Sequence, residues 1–130
     1  MKRRELGFTA VELLVVLAII GILSVLASAS YRDYVLRATR VDGQIALLSV
    51  QLAQERHRTF NPTYTASLAT LALPSTSEAG NYTIAITAAT ANSFTATATA
   101  LGAQANDTAC ATLSLNPQGP VSGTESCWQP

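Results

Sequence analysis

Gly7-Phe8-Thr9-Ala10-Val11-Glu12 opens onto Leu13-Leu14-Val15-Val16-Leu17-Ala18-Ile19-Ile20, and the apolar run continues to Tyr31 with no Asp, Glu, Lys, Arg or His inside it. Lys2, Arg3 and Arg4 precede the run and Arg32 ends it. About 19 residues at ~1.5 Å rise give roughly 28 Å, close to the hydrocarbon thickness of a bilayer. A plain membrane anchor accounts for that length, with the basic cluster holding the N-terminus in the cytoplasm and everything after Arg32 exported. A secretory signal peptide fits as well: a basic n-region, an apolar core from Leu13 to Leu26, then Ala27-Ser28-Ala29 as a small-residue cleavage site. Neither explains Glu12. A carboxylate beside such a segment is costly unless it finds a cationic partner, so it marks a functional position. Nor does either explain a Gly placed before the apolar core.

A short basic leader ending in Gly7, then Phe8-Thr9, a Glu at the fifth position after that Gly, and an apolar helix rich in Val, Ile and Leu together resemble the prepilin signature. That signature belongs to type IV pilins and to the pseudopilins of type II secretion. The resemblance implies that residues 1–7 are a leader and that a prepilin peptidase cuts between Gly7 and Phe8. The same enzyme would methylate the new amine of Phe8, and residues 8–31 would stay attached as a transmembrane and assembly helix. Glu12 would pair with the Phe8 amine, of its own or a neighbouring subunit, and so set the register of assembly. Two positions depart from the usual pattern: Ala10-Val11 stand where bulkier Leu-Ile is commoner, and Ala29 stands where many pilins have Pro. A Pro inside a helix costs about 3 kcal/mol, so its absence makes local melting on assembly less favoured.

A chain of 130 residues is long enough for one exported domain besides that helix. The formal charge is zero, but removing a leader that holds Lys2, Arg3, Arg4 and Glu5 leaves five basic and seven acidic side chains, a net of −2. Every remaining Arg (32, 37, 40, 56 and 58) lies before Phe60, and beyond it stand only Glu78, Asp107 and Glu125. Such a head is a poor electrostatic footprint for DNA, and DNA is not expected as a partner. Cys110 and Cys127 both fall in the exported part. An even count in an oxidising compartment reads as a disulfide, with two free buried thiols as the alternative.

Past Arg32 the helical pattern continues over residues 32–60, which argues against cleavage after Ala29. Tyr34, Ala38, Val41, Ile45, Leu48 and Leu52 recur at spacings of four and three, a face expected to pack on a sheet. Asp33, Arg37, Arg40, Gln44, Gln51, Glu55 and Arg58 mark the opposite stripe, expected to face solvent or neighbouring subunits. Asp33 with Arg37 and Glu55 with Arg58 have the spacing of helix ion pairs. Arg56, His57 and Arg58 complement the dipole of the last turn, and Asn61-Pro62 stops it. Residues 61–80 read as a loop with Leu68, Leu71 and Leu73 tucked beneath it, the αβ-loop of the resembled fold. Alternation predicts strands from Tyr82 to Thr87, from Phe94 to Ala100 and from Ala111 to Leu115, with a short edge strand near Pro120 to Ser122. The fold class is therefore α+β: a long N-terminal helix, apolar in its first half, on an antiparallel sheet of three to four strands within residues 81–130.

The run Thr108-Ala109-Cys110 to Cys127-Trp128 resembles small PilE-type minor pilins of Gram-negative bacteria, whose two cysteines bracket a C-terminal loop. Trp128 is expected to anchor that loop beside the disulfide. No nucleophile and base pairing, phosphate-cradling loop or ligand set for a metal stands out, so no catalysis, cofactor or metal is expected; Asp107 and Glu125 alone make a thin case for calcium. The resemblance implies a structural subunit, of the minor kind, in a type IV pilus, with roles in pilus biogenesis, twitching motility or adhesion. Its partners would be other pilin subunits, the prepilin peptidase and the inner membrane, crossed once with the C-terminal domain periplasmic. After assembly the subunit would be extracellular. A type II secretion pseudopilin, or a pilin acting as adhesin or DNA-uptake receptor, are the alternatives.

Overall fold

The structure, a computed structural model, describes residues 7–129, so the basic cluster at Lys2, Arg3 and Arg4 and the rest of the expected leader before Gly7 lie outside the described residues. One helix, α1, runs Ala10–Phe60, and the chain divides into two compact units between Tyr34 and Val35. The first unit is the apolar part of α1. Side chains from Leu13 to Leu26 are exposed all around it, and by length and composition the segment can cross a membrane. A helix that is apolar on every side needs lipid or other helices around it. The Ser24 hydroxyl donates to the Ile20 carbonyl at 2.7 Å and that of Ser28 to the Val25 carbonyl at 2.9 Å, which leaves neither hydroxyl unsatisfied.

The second unit is the head: α1 from Val35 onward, the αβ-loop and a four-stranded antiparallel sheet in sequential order. The strands are β1 Tyr82–Ala89, β2 Phe94–Ala100, β3 Thr112–Asn116 and β4 Gly119–Pro120. Tyr82 faces Ala100 across β1 and β2, and Ala98 faces Leu113 across β2 and β3. A bulge between Ile86 and Ala88 shifts the register near the hairpin end. Alternation does what period two requires. Phe94, Ala96, Ala98 and Ala100 are buried, while Thr95, Thr97 and Thr99 look outward.

Core packing depends on small residues. Leu47 and Val50 of α1 join Tyr82, Ile84, Phe94, Leu113, Leu115 and the β2 alanines in one buried cluster, with Leu68, Leu71 and Leu73 partly buried against it as expected. Gly43 lets α1 come this near: a Cβ there would lie 3.0 Å from the Tyr82 ring and from Leu113 Cδ1. The last turn of α1 closes with the Asn61 side chain donating to the His57 carbonyl at 2.9 Å.

One expectation is overturned. The stripe assigned to the sheet is outside: Tyr34, Val41, Ile45, Leu48 and Leu52 are all exposed. The buried positions of α1 are Gly43, Leu47, Val50 and Gln54, about a quarter-turn or more away. Arg40, Gln44 and Gln51, expected on a solvated face, turn to the head, because its loops present carbonyls and a carboxylate that need donors.

Candidate functional site

At the start of α1, Gly7 lies in coil with nothing within 4 Å of where a Cβ would sit, and Phe8 is 92% exposed. Thr9 and Glu12 form a capping box: the Thr9 hydroxyl oxygen accepts the Glu12 N–H at 3.2 Å, and Glu12 Oε2 accepts the Thr9 N–H at 2.9 Å and hydroxyl at 3.1 Å. The partner expected for Glu12 was the Phe8 amine. Here Phe8 follows Gly7 through a peptide bond, so its nitrogen is no amine, and the carboxylate takes the donors at hand on Thr9 and also complements the helix dipole.

In the head, Asp107 Oδ2 accepts from Arg40 Nε at 2.6 Å and Oδ1 from Arg40 Nη2 at 2.9 Å, the one ion pair among the described residues. That contact holds the Arg40 guanidinium more firmly protonated than usual. Gln104 completes a buried network, donating from Nε2 to the Leu36 carbonyl and the Tyr82 hydroxyl, each at 3.0 Å. Asp107, one half of the thin calcium case, is therefore a structural anion. Neither expected helix ion pair forms among the described residues. Glu55 instead accepts the Tyr64 hydroxyl at 2.9 Å, and the Arg58 guanidinium lies 4.8 Å from the Tyr64 ring centroid.

Asp42 clamps the αβ-loop to the helix. Its carboxylate accepts the Ser77 hydroxyl at 2.6 Å, the Ala79 N–H at 3.1 Å and the Asn81 side-chain amide at 3.1 Å. Burial alone would push the Asp42 carboxyl up, but the donors from Ser77, Ala79 and Asn81 outweigh it and hold it below the ordinary carboxylate value. A cleft of 290 Å³ opens beside this clamp between α1 and the loop, over Ile45, Ala46, Val50, Leu73 and Ile84. Its ionisable wall residues are Asp42 and Glu78, so it repels phosphate.

Cys110 and Cys127 are joined, with Cα atoms 5.7 Å apart. Gln44 Nε2 donates to the Cys127 carbonyl at 2.9 Å, which ties the end of the disulfide loop to α1. Trp128 packs partly buried against the core beside the bridge, as an anchor should. Its Nε1 has no partner among the described residues. The last turn of α1 carries an exposed Arg56, a half-buried His57 and a Phe60 that is 88% exposed. Sequence reasoning missed Gly43, Asp42, Gln104 and the partner of Arg40. A lone Gly and an Asp side by side in the middle of an amphipathic helix were the available signal for the first two, since both are poor helix formers.

Comparison with known proteins bears on both units. The family described as "Type IV minor pilin ComP, DNA uptake sequence receptor" matches residues 29–114, and the prokaryotic N-terminal methylation motif matches residues 2–28. The chain is 50% identical over 42 residues to the type IV major alpha-pilin of Moraxella bovis, which is 31% of this chain and 26% of that protein. It is 46% identical over 43 residues to the type IV major fimbrial protein FimA of Dichelobacter nodosus, 33% of this chain and 27% of that protein. The chain thus spans about a quarter of the length of the curated relatives it matches. The description of the family that matches most of the head speaks against the expectation that DNA is no partner.

Proposed function

The chain belongs to the type IV pilins, in the family described as ComP minor pilins, and from that premise we propose that it is a low-abundance pilus subunit, cut after Gly7 by prepilin peptidase and methylated on Phe8. Before assembly it sits in the inner membrane with its head periplasmic, and afterwards in the extracellular filament. The observation that carries this reading is the apolar surface left open. Leu13 to Leu26 are exposed on every side of α1, and in the head Val41, Ile45, Leu48 and Leu52 make a further exposed stripe. Exposed apolar area of this extent asks for lipid first and for other helices later.

Glu12 serves the transfer between the two. Thr9 occupies Oε2 alone, so Oε1 is left to accept the methylated Phe8 amine of a neighbouring subunit and fix the axial register. Glu12→Ala is expected to be cut and methylated, by N-terminal mass spectrometry, yet to be scarce in sheared pili. Normal incorporation refutes the register role, and a mature terminus at Ser30 refutes the pilin reading of the cut site.

The family description favours a second reading, in which the head is a receptor for DNA. The absence of any Lys or Arg after Arg58 means that such binding uses few phosphate contacts. Fluorescence anisotropy of labelled DNA with the detergent-solubilised mature chain at 50 and 200 mM salt tests it. No binding at the lower salt removes this reading and leaves the structural one standing.

A further inference from the structure

Resting on the DNA-receptor reading, we propose that the last turn of α1 is where the head touches DNA, with Arg56 and His57 meeting phosphates and Phe60 stacking on an unpaired base. The cations of the head are few enough for elimination to work. After Arg58 there are none, and within the head unit α1 supplies Arg37, Arg40, Arg56 and Arg58. Arg40 is spent on Asp107, with both carboxylate oxygens engaged. Arg58 lies over the Tyr64 ring, whose hydroxyl bonds Glu55, so an acid stands beside that cation. Arg37 has an acid, Asp33, four positions before it in the sequence, although no ion pair forms between them among the described residues.

Arg56 differs from all three. Its neighbours three and four residues away are Leu52, Ala53, Thr59 and Phe60, and those of His57 are Ala53, Gln54, Phe60 and Asn61. No acid is among them, and Glu55 points to Tyr64. Phe60, four residues after Arg56 and three after His57, sits between them around the helix. It is 88% exposed, the most exposed large apolar side chain of the head. A solvated aromatic ring beside a guanidinium that no carboxylate neutralises, with the His57 imidazole on its other flank, suits a single strand: the ring takes a base face, and the guanidinium and the imidazole N–H take the adjoining phosphates. The αβ-loop cleft is no competitor, since Asp42 and Glu78 are its ionisable groups.

One phosphate neutralised by a guanidinium predicts a shallow salt dependence. For a single strand the slope is about −0.7 per such contact, so affinity falls only about two- to threefold between 50 and 200 mM salt, against the thousandfold or more of a duplex binder with many contacts. The test uses the detergent-solubilised mature chain and a labelled oligo(dT) and, in parallel, a labelled duplex of the same length. Phe60→Ala is expected to weaken oligo(dT) binding about 5- to 100-fold, and Arg56→Gln to weaken it and flatten the salt slope by about 0.7. Arg37→Gln should leave affinity within about twofold, because screened charges far from the contact contribute little. All three positions are exposed, and unchanged thermal unfolding verifies that each variant is folded. If the wild type binds DNA while Phe60→Ala and Arg56→Gln bind as well as it does, the receptor reading stands and this placement is wrong. A duplex bound more tightly than oligo(dT) and indifferent to Phe60→Ala also overturns it. If the wild type binds neither probe, the receptor reading falls and takes the placement with it.

Discussion

Asp107→Ala is a substitution to which the head should be highly sensitive. Arg40 and Asp107 meet through two hydrogen bonds of 2.6 and 2.9 Å, with side chains only 14% and 7% exposed. Deleting the carboxylate leaves the guanidinium without the one anion it pairs with among the described residues. Removing one member of a fully buried pair costs about 3–5 kcal/mol. The residual water contact of Arg40 screens part of that, and about 2–4 kcal/mol is the expected loss. For a domain whose total stability is on the order of 5–15 kcal/mol this is a large share.

The double variant Arg40→Met/Asp107→Leu removes both charges and keeps most of the volume, so it should unfold within about 1 kcal/mol of the wild type. Urea unfolding of the detergent-solubilised chain, followed by circular dichroism with the disulfide intact, gives all corners of the cycle. The two single losses should add to far more than the double loss, with a coupling of about 2 kcal/mol or more. If Asp107→Ala loses less than about 0.5 kcal/mol, or if the cycle is additive, the Arg40–Asp107 pair does not stabilise the head.

Cys110→Ser should cost about 2–5 kcal/mol, read as early protease cleavage of the head, because the bridge closes a loop across a sequence separation of 17. Gly43→Ala sets a gain of about 1 kcal/mol in helix propensity against an overpacking cost of about 1–3 kcal/mol where the new Cβ meets Tyr82 and Leu113; thermal unfolding should show a net loss, and a gain would mean that the contact relaxes. Asp42 carries a folded-state pKa below its unfolded value, so its contribution is complete above the ordinary carboxylate range and is lost as pH falls through the lowered pKa. Asp42→Asn should therefore flatten the stability curve below about pH 4 and leave its slope unchanged between about pH 6 and 8.

The sheet was readable because strands write their faces with period two. Tyr82, Ile84, Phe94, Ala96, Ala98, Leu113 and Leu115 are all inward, and the hydroxyl residues between them are outward. The N-terminal motif was legible for a chemical reason, since peptidase signatures are local and need no folding to be seen. What could not be read were the long-range polar contacts. Asp42 with Ser77 spans 35 residues and Arg40 with Asp107 spans 67, and no local pattern announces either. Asp107 looked like a possible cation ligand because a sequence does not show which Arg has come to lie beside it.

The helix face was misread for a more general reason. Apolar periodicity reports a face that escapes water; it does not say what covers it. In the head the inner face of α1 is narrow: Gly43, Leu47, Val50 and Gln54 suffice against a sheet whose β2 residues are alanines, and Arg40, Gln44 and Gln51 fill its margins with donors for loop carbonyls and a carboxylate. Such a face is too small and too polar to dominate a hydrophobic count. The larger stripe through Val41, Ile45, Leu48 and Leu52 is exposed in one subunit. In a chain proposed to assemble, this is where such a stripe belongs, because contacts with neighbouring subunits must be written into the same helix as contacts with its own sheet. Substituting that outer stripe separates the two uses. Leu48→Gln and Leu52→Gln together should leave urea unfolding of the single subunit within about 1 kcal/mol, as surface changes do. The same pair should sharply reduce recovery in sheared pili. A subunit that unfolds early would mean that the stripe serves its own head; one that unfolds normally and assembles normally would mean that the stripe serves neither.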